Sequence, residues 1–271
     1  MILVGGIRHD RFDGRDRLAG RAFAGGDTSY RAGAIWRPRP DVSAYASWST
    51  SFEPQPVGNQ DAARGGPFDP QTGAQVEAGL KIALGNGRVQ LAAALYQIRR
   101  RNLVQVDPSK PPVGGVDQLG AIGEVRSRGF ELEAAVDVTP DWVFTGNYAY
   151  NDTIVTRDNG RNPLGNAVGD RFANAPEHQA GIWNRYQLPP IRTGFALGME
   201  YVSERLSLSG QRVKPYTVFD ASIIHDWGPL RLLLRVDNIF DRTYAASGFI
   251  DRTGHFPGAP RTVLFEASLR Y

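Results

Sequence analysis

The sequence predicts an all-β fold: an antiparallel transmembrane β-barrel segment of about twelve strands, with short turns at one rim and long loops at the other. Three observations carry that prediction. Runs of roughly ten residues with alternating apolar and polar side chains recur along the whole chain, and a tilted strand needs about that length to cross a bilayer. The links between runs alternate in length, long after each odd run and short after each even one. Aromatic residues gather near run ends, where rings sit at headgroup depth.

Composition narrows the class first. The 271 residues are 41% hydrophobic with a mean hydropathy of −0.34, too apolar for a disordered chain. No stretch approaches the ~18 apolar residues of a membrane helix, so a helical span is excluded, whereas barrel strands show only alternate residues to lipid. There are no cysteines, which excludes a disulfide scaffold and a thiolate metal site. His9, His178, His225 and His255 lack ligand spacing, so no metal site is expected. The net charge of +3 and pI of 9.2 permit anionic partners without indicating nucleic acid. The opening MILVGGIRHD has neither a basic n-region nor a small-residue cleavage site, and reads as a strand rather than a signal peptide.

In order, the runs fall near 1–8, 28–37, 42–51, 74–84, 88–98, 125–138, 142–153, 177–187, 191–203, 215–226, 230–240 and 261–271. In RSRGFELEAAVDVT, Phe130, Leu132, Ala134, Val136 and Val138 point one way and Ser127, Gly129, Glu131, Glu133 and Asp137 the other. In LRLLLRVD, Leu230, Leu232, Leu234 and Val236 oppose Arg231, Arg235 and Asp237, with Leu233 the one exception. The last run sets Val263, Phe265, Ala267, Leu269 and Tyr271 against Thr262, Leu264, Glu266, Ser268 and Arg270. A soluble sandwich buries its apolar side, while a barrel in lipid turns that side outward and lines a watery interior with charge.

The short links at 38–41, 85–87, 139–141, 188–190 and 227–229 are built from turn residues. The long links lie near 9–27, 52–73, 99–124, 154–176, 204–214 and 241–260. In a meander this gathers every long loop at one rim, the asymmetry of bacterial outer-membrane barrels. Trp36, Trp48, Trp142, Tyr148, Tyr150, Trp183, Tyr186, Trp227 and Tyr244 are expected to form interfacial girdles.

The lumen face is then expected to carry Tyr45, Ser47, Glu131, Glu133, Asp137, Tyr216, Asp220, Arg231, Arg235, Asp237 and Glu266. The long loops offer Phe52, Phe68, Arg99, Arg100, Arg101, Arg157, Arg171, Phe172, Phe249 and Phe256. Arginines suit an anionic chelate and rings suit an aromatic or apolar ligand backbone. Arg99 to Arg101 suit lipopolysaccharide phosphates better. Candidate ligand contacts are Phe52, Phe68, Arg99, Arg100, Arg171, Phe172, Tyr45, Tyr216, Arg235, Phe249 and Phe256. Asn238 and Asp241 of NIFD are expected to turn a strand into its loop.

No catalytic residue is expected. An outer-membrane lipase would need a Ser/His pair at the outer rim; His225 stands at the opposite rim, and no serine around His178 sits in a nucleophile motif. A passive pore or a translocator barrel is the alternative class, although the sequence supplies no helix to thread a translocator's lumen.

VDNIFDRTY (236–244) followed by PGAPRTVLFEASLRY (257–271) resembles the C-terminal signature of the TonB-dependent outer-membrane receptors. YASWSTSFEPQ (45–55), EAGLKIAL (77–84), RSRGFELEAAV (126–136), NAPEHQAGIWNRY (174–186) and PYTVFDASI (215–223) resemble successive barrel segments of the siderophore-receptor branch, in the right order. The resemblance implies residence in the Gram-negative outer membrane, against lipid and lipopolysaccharide. It also implies a ferric siderophore as transported ligand rather than bound cofactor, with energy relayed through the TonB complex. Such receptors are barrels of about 22 strands with a plugged lumen. Residues 1–271 are accordingly expected to form the C-terminal portion of one, with no plug domain of their own. Two strand edges, at 1–8 and 261–271, are expected to lack partners, which is costly in lipid.

Overall fold

The computed structural model describes residues 1–17, 20–107, 110–157, 167–249 and 254–269. Its strands are β1 (Ile2–Asp16), β2 (Arg21–Arg39), β3 (Val42–Glu53), β4 (Gln71–Leu84), β5 (Val89–Val106), β6 (Leu119–Thr139), β7 (Trp142–Arg157), β8 (His178–Leu188), β9 (Thr193–Val202), β10 (Arg205–Leu206), β11 (Arg212–Val213), β12 (Tyr216–Trp227), β13 (Leu230–Asp237), β14 (Ala245–Gly248), β15 (His255–Pro257) and β16 (Thr262–Leu269). One twelve-stranded antiparallel sheet runs in the order β1-β2-β3-β4-β5-β6-β7-β8-β9-β12-β13-β16. Two small hairpins, β10-β11 and β14-β15, stand apart from it. β1 and β16 are the two ends of the ribbon and have no partner on their outer sides among the described residues.

All twelve expected runs are strands of this sheet, and their register sorts the side chains into two faces. Residues directly opposite share a face, so the pairs Tyr45↔Gly79, Glu77↔Tyr96, Ala94↔Glu131, Glu133↔Asn147, Trp183↔Gly198, Gly198↔Asp220, Ser222↔Arg235 and Leu233↔Glu266 trace one continuous surface. Ser43 and Lys81 near one end and Gln179, Glu200 and Asp220 near the other line a single trough of about 880 Å³, so this polar face is concave. The opposite, convex face carries Leu80, Leu95, Leu132, Leu197, Leu234 and Phe265, all exposed. The chain has almost no dry interior: the described buried apolar residues are few, and Val202, Tyr216 and Val218 form their one cluster, at the long-loop rim. Such a wall is stable only where its outer solvent is hydrocarbon.

The turns follow their residues. GNG places Gly85, Asn86 and Gly87 at φ of 61°, 57° and 89°, a left-handed run that only glycine and asparagine enter cheaply. Pro189–Ile191 makes a short 3-10 turn closed by Arg192.

Four expectations are corrected. The links 9–27 and 99–124 are mostly strand, since β1 and β2 run to Asp16 and from Arg21, and β5 and β6 to Val106 and from Leu119. Backbone pairing continues past the membrane edge, where water on both faces removes the alternation that marks a strand in sequence. Arg99, Arg100 and Arg101 are therefore strand residues of β5 rather than loop residues. Trp183 leaves the girdle, because it lies on the concave face with its ring stacked over Gly198. Tyr244 also leaves it, packing 4.3 Å from Tyr216 in a loop. Arg270 and Tyr271 lie outside the described residues.

Candidate functional site

The concave face collects every lumen residue expected from the sequence: Tyr45, Ser47, Glu131, Glu133, Asp137, Tyr216, Asp220, Arg231, Arg235, Asp237 and Glu266. Much of its charge is matched locally. Arg231 pairs with Asp226 through two hydrogen bonds of 2.6 and 2.9 Å, and Arg235 donates to Asp237 at 2.7 Å. The Tyr45 hydroxyl donates to Glu77, and Lys81 stands 5.7 Å from the Tyr45 ring. Ser127 and Thr153 both donate to Asn151 Oδ1, at 2.6 and 2.8 Å. The result is a hydrated, charged trough running the length of the strands.

At its long-loop end the trough meets the predicted ligand contacts, which fall in separate places. Phe52, the penultimate residue of β3, and Arg100 of β5 line one cavity of about 510 Å³ with Ser49, Gln71, Gln75 and Ile98. Arg100 donates to Gln71 at 2.8 Å and stands 3.5 Å from Glu53. Phe12 lies 6.2 Å from Phe52 and 5.7 Å from Phe23, which extends the aromatic surface onto the β1-β2 hairpin. Phe12 and Phe23 are absent from the sequence-based set, hidden in a span read as loop. Phe68 is held within its own loop, where Gln60 accepts from its N–H at 2.8 Å and donates to its carbonyl at 3.1 Å.

Arg171 pairs with Glu177, and the Phe172 N–H donates to Thr153 at 2.9 Å, fastening both against β7. Phe249 and Phe256 face each other at 5.8 Å across the β14-β15 hairpin. Arg99 and Arg101 point to the convex side, away from the trough.

The β14-β15 hairpin is fastened at its neck. Buried Asn238 sits at φ 51°, donates to the carbonyls of Arg242 and Ala259 at 2.9 and 3.1 Å, and accepts from the Arg242 N–H at 2.9 Å. Asp241, also at φ 51°, accepts from the Arg261 N–H at 3.0 Å. Both residues turn the strand into its loop, as NIFD led us to expect. Higher up, Asn174 and Gly248 exchange two hydrogen bonds of 2.9 and 2.8 Å. Arg205 is 3% exposed, donates to the carbonyls of Ala245 and Ala246, and stacks 5.6 Å from the Tyr216 ring. Burial pushes its guanidinium below the ordinary arginine value, and neighbouring Tyr216 partly offsets that. Nothing in SERLSLSG marks Arg205 as the centre of this joint.

An open ribbon of twelve membrane-length strands, apolar outside and charged inside, with turns at one rim and elaborated loops at the other, defines an outer-membrane β-barrel wall. The comparisons agree. The model of the TonB dependent receptor-like β-barrel matches residues 1–239, and the chain belongs to that family. It is 31% identical to the metal-pseudopaline receptor CntO of Pseudomonas aeruginosa, over 98% of this chain and 38% of that protein. It is 30% identical to the ferrichrome outer membrane transporter/phage receptor of Escherichia coli K12, over all of this chain and 36% of that one. Among solved structures it is similar to the ferric-catecholate import receptor Fiu of Escherichia coli K12 in its closed form. That match has a TM-score of 0.77 and 24% identity, covering 99% of this chain and 42% of the other. The ferric citrate transporter FecA also superposes with a TM-score of 0.77, at 20% identity, over 98% and 42% of the two chains. The chain thus spans a little over a third of the length of these two curated relatives. It lies in the outer membrane, with its long loops outside the cell and its short turns in the periplasm.

Proposed function

We propose that residues 1–271 form the C-terminal portion of the barrel of a receptor that takes up a ferric siderophore, energised through the TonB complex. The observation that carries this reading is the charged trough, whose face continues at the long-loop rim to Arg100, with Phe12 and Phe23 on the neighbouring β1-β2 hairpin. A ferric chelate with excess anionic charge finds a guanidinium there, and rings for its organic backbone. The names of the relatives, receptors and transporters rather than enzymes, support the same class. The ferric siderophore is cargo, and no resident cofactor is part of the proposal.

The test is uptake of radiolabelled ferric siderophores by cells making the receptor, with and without an active TonB complex. Uptake that needs TonB and falls at least tenfold in Phe52→Ala/Arg100→Ala supports the reading. Uptake that persists without TonB, in proportion to external concentration, replaces it with a passive pore.

A further inference from the structure

At the long-loop ends of β3, β4 and β5, two opposite charges stand side by side on the concave face without clasping. Glu53 lies directly opposite Gln71, and Arg100, opposite Gly73, shares their face because alternate residues of a strand point the same way. Arg100 donates to Gln71 Oε1 at 2.8 Å but comes no nearer than 3.5 Å to Glu53, whose carboxylate accepts no hydrogen bond among the described residues. On the convex face the comparable pairs close fully, Arg101 on Glu124 at 2.6 Å and Arg128 on Asp152 at 2.9 Å. Both members of the open pair are exposed, and such a pair in water adds little to the fold.

The backbone behind these side chains is nevertheless locked. Buried Gln55, just beyond Glu53, donates to the carbonyl of Asn102 at 2.8 Å. Asn102, just beyond Arg100, donates to the carbonyl of Pro70 at 3.0 Å, and Pro70 precedes Gln71. Asn102 sits at φ 58° where the β5-β6 register shifts, a bulge of the kind that re-aims side chains. Gln55 and Asn102 thus hold the ends of three strands in one relation, and with them Glu53, Gln71 and Arg100 around the cavity of about 510 Å³. Glu53 and Arg100 are the charged residues of its described lining, and Ser49, Ser51, Thr72 and Gln75 add neutral hydrogen-bonding groups. Fixed polar groups converging on a cavity before anything enters it are the mark of a binding site.

The charge pattern says what enters. Glu53 repels an anion and screens Arg100, and Arg100 does the same to a cation. A group that carries both signs side by side, an ammonium next to a carboxylate, answers both. Its carboxylate takes Arg100 and the Gln71 amide nitrogen, which has no acceptor among the described residues, while its ammonium takes Glu53. Each charge then gains charge-assisted hydrogen bonds that the open pair lacks. We propose that this pocket selects ferric chelates whose outer edge carries an uncoordinated amino-acid group, with Glu53 reading the ammonium. The inference deepens the proposed uptake of a ferric siderophore and rests on it.

The probes are three ferric trihydroxamates that differ only in a pendant arm: an α-amino acid, the same arm acetylated at nitrogen, and the same arm esterified at the carboxylate. Their binding to the receptor purified from producing cells is measured by fluorescence quenching, and their uptake by cells with and without an active TonB complex. The parent is expected to bind the amino-acid chelate at least about tenfold more tightly than either blocked form. Glu53→Gln should bind the amino-acid and acetylated forms alike, and Arg100→Gln the amino-acid and esterified forms alike. Equal binding of all three by the parent, no binding of any, or a preference for the free amine that survives Glu53→Gln overturns the proposal. The comparison of the three chelates on the parent stands even if a variant fails to fold. Failure of the uptake reading shows differently: the amino-acid chelate then binds with the expected preference but enters no faster with TonB than without it.

Discussion

Replacing Asn238 by alanine should loosen the neck of the β14-β15 loop by an amount the structure lets us work out. The side chain makes three hydrogen bonds to backbone groups, and Asn238 is 4% exposed, so water cannot substitute for it. At about 1 kcal/mol net for each bond the loss is about 3 kcal/mol. The backbone at φ 51° adds about 1 kcal/mol for a residue with a Cβ and no side-chain amide. Asn238→Ala should therefore cost about 4 kcal/mol, and Asn238→Gly, which keeps the backbone freedom, about 3 kcal/mol. Urea titration in micelles, read by heat-modifiable gel migration, measures both. An alanine variant within ~0.5 kcal/mol of the parent would refute the neck as a structural joint, since surface changes alone produce that much. Equal losses for alanine and glycine would refute the backbone part of the reasoning.

Three further outcomes are expected. Phe265→Arg, on the convex face, should cost about 2–4 kcal/mol in the same titration, whereas Leu264→Arg, one residue away on the concave face, should cost under ~1 kcal/mol; similar losses would mean that the faces are misassigned. A Cβ on Gly198 would lie 1.8 Å from Trp183, so Gly198→Ala should lower folding stability by about 1–3 kcal/mol, and Gly198→Ala with Trp183→Leu should recover most of it. Arg205→Met should leave the barrel folded but raise protease cleavage between Ala245 and Pro257 several-fold, because the carbonyls of Ala245 and Ala246 lose their shared donor.

The wall was legible in the sequence because lipid forces a strict alternation on each strand and the alternation survives in composition. Leu230 to Asp237 show it: even Leu233, which breaks the pattern, keeps its register and faces inward opposite Ile224 and Glu266. Outside the membrane that constraint lapses. HDRFDGRD at the end of β1 pairs without a break, and RRRNLVQV at the end of β5 stays paired through register shifts on either side of Leu103, yet water on both faces leaves no period to read. The rim site was legible only as residue types. Phe52 and Arg100 were named, but their shared cavity, and the addition of Phe12 and Phe23, depend on two hairpins leaning together. Trp183 misled because a tryptophan near a strand end fits a girdle equally well as a lumen, and only Gly198 across the strand decides between them.

The fastened neck also shapes how this receptor can change. With Asn238, Asp241, Asn174 and Arg205 anchoring backbone groups from residue 242 to 261, the β14-β15 hairpin is joined to the wall through fixed points. Replacements of the Phe249 and Phe256 rings leave the joint's hydrogen bonds in place and so carry little penalty for folding. A lineage could rewrite those two side chains over and over on an unaltered frame, and sister proteins should diverge there first.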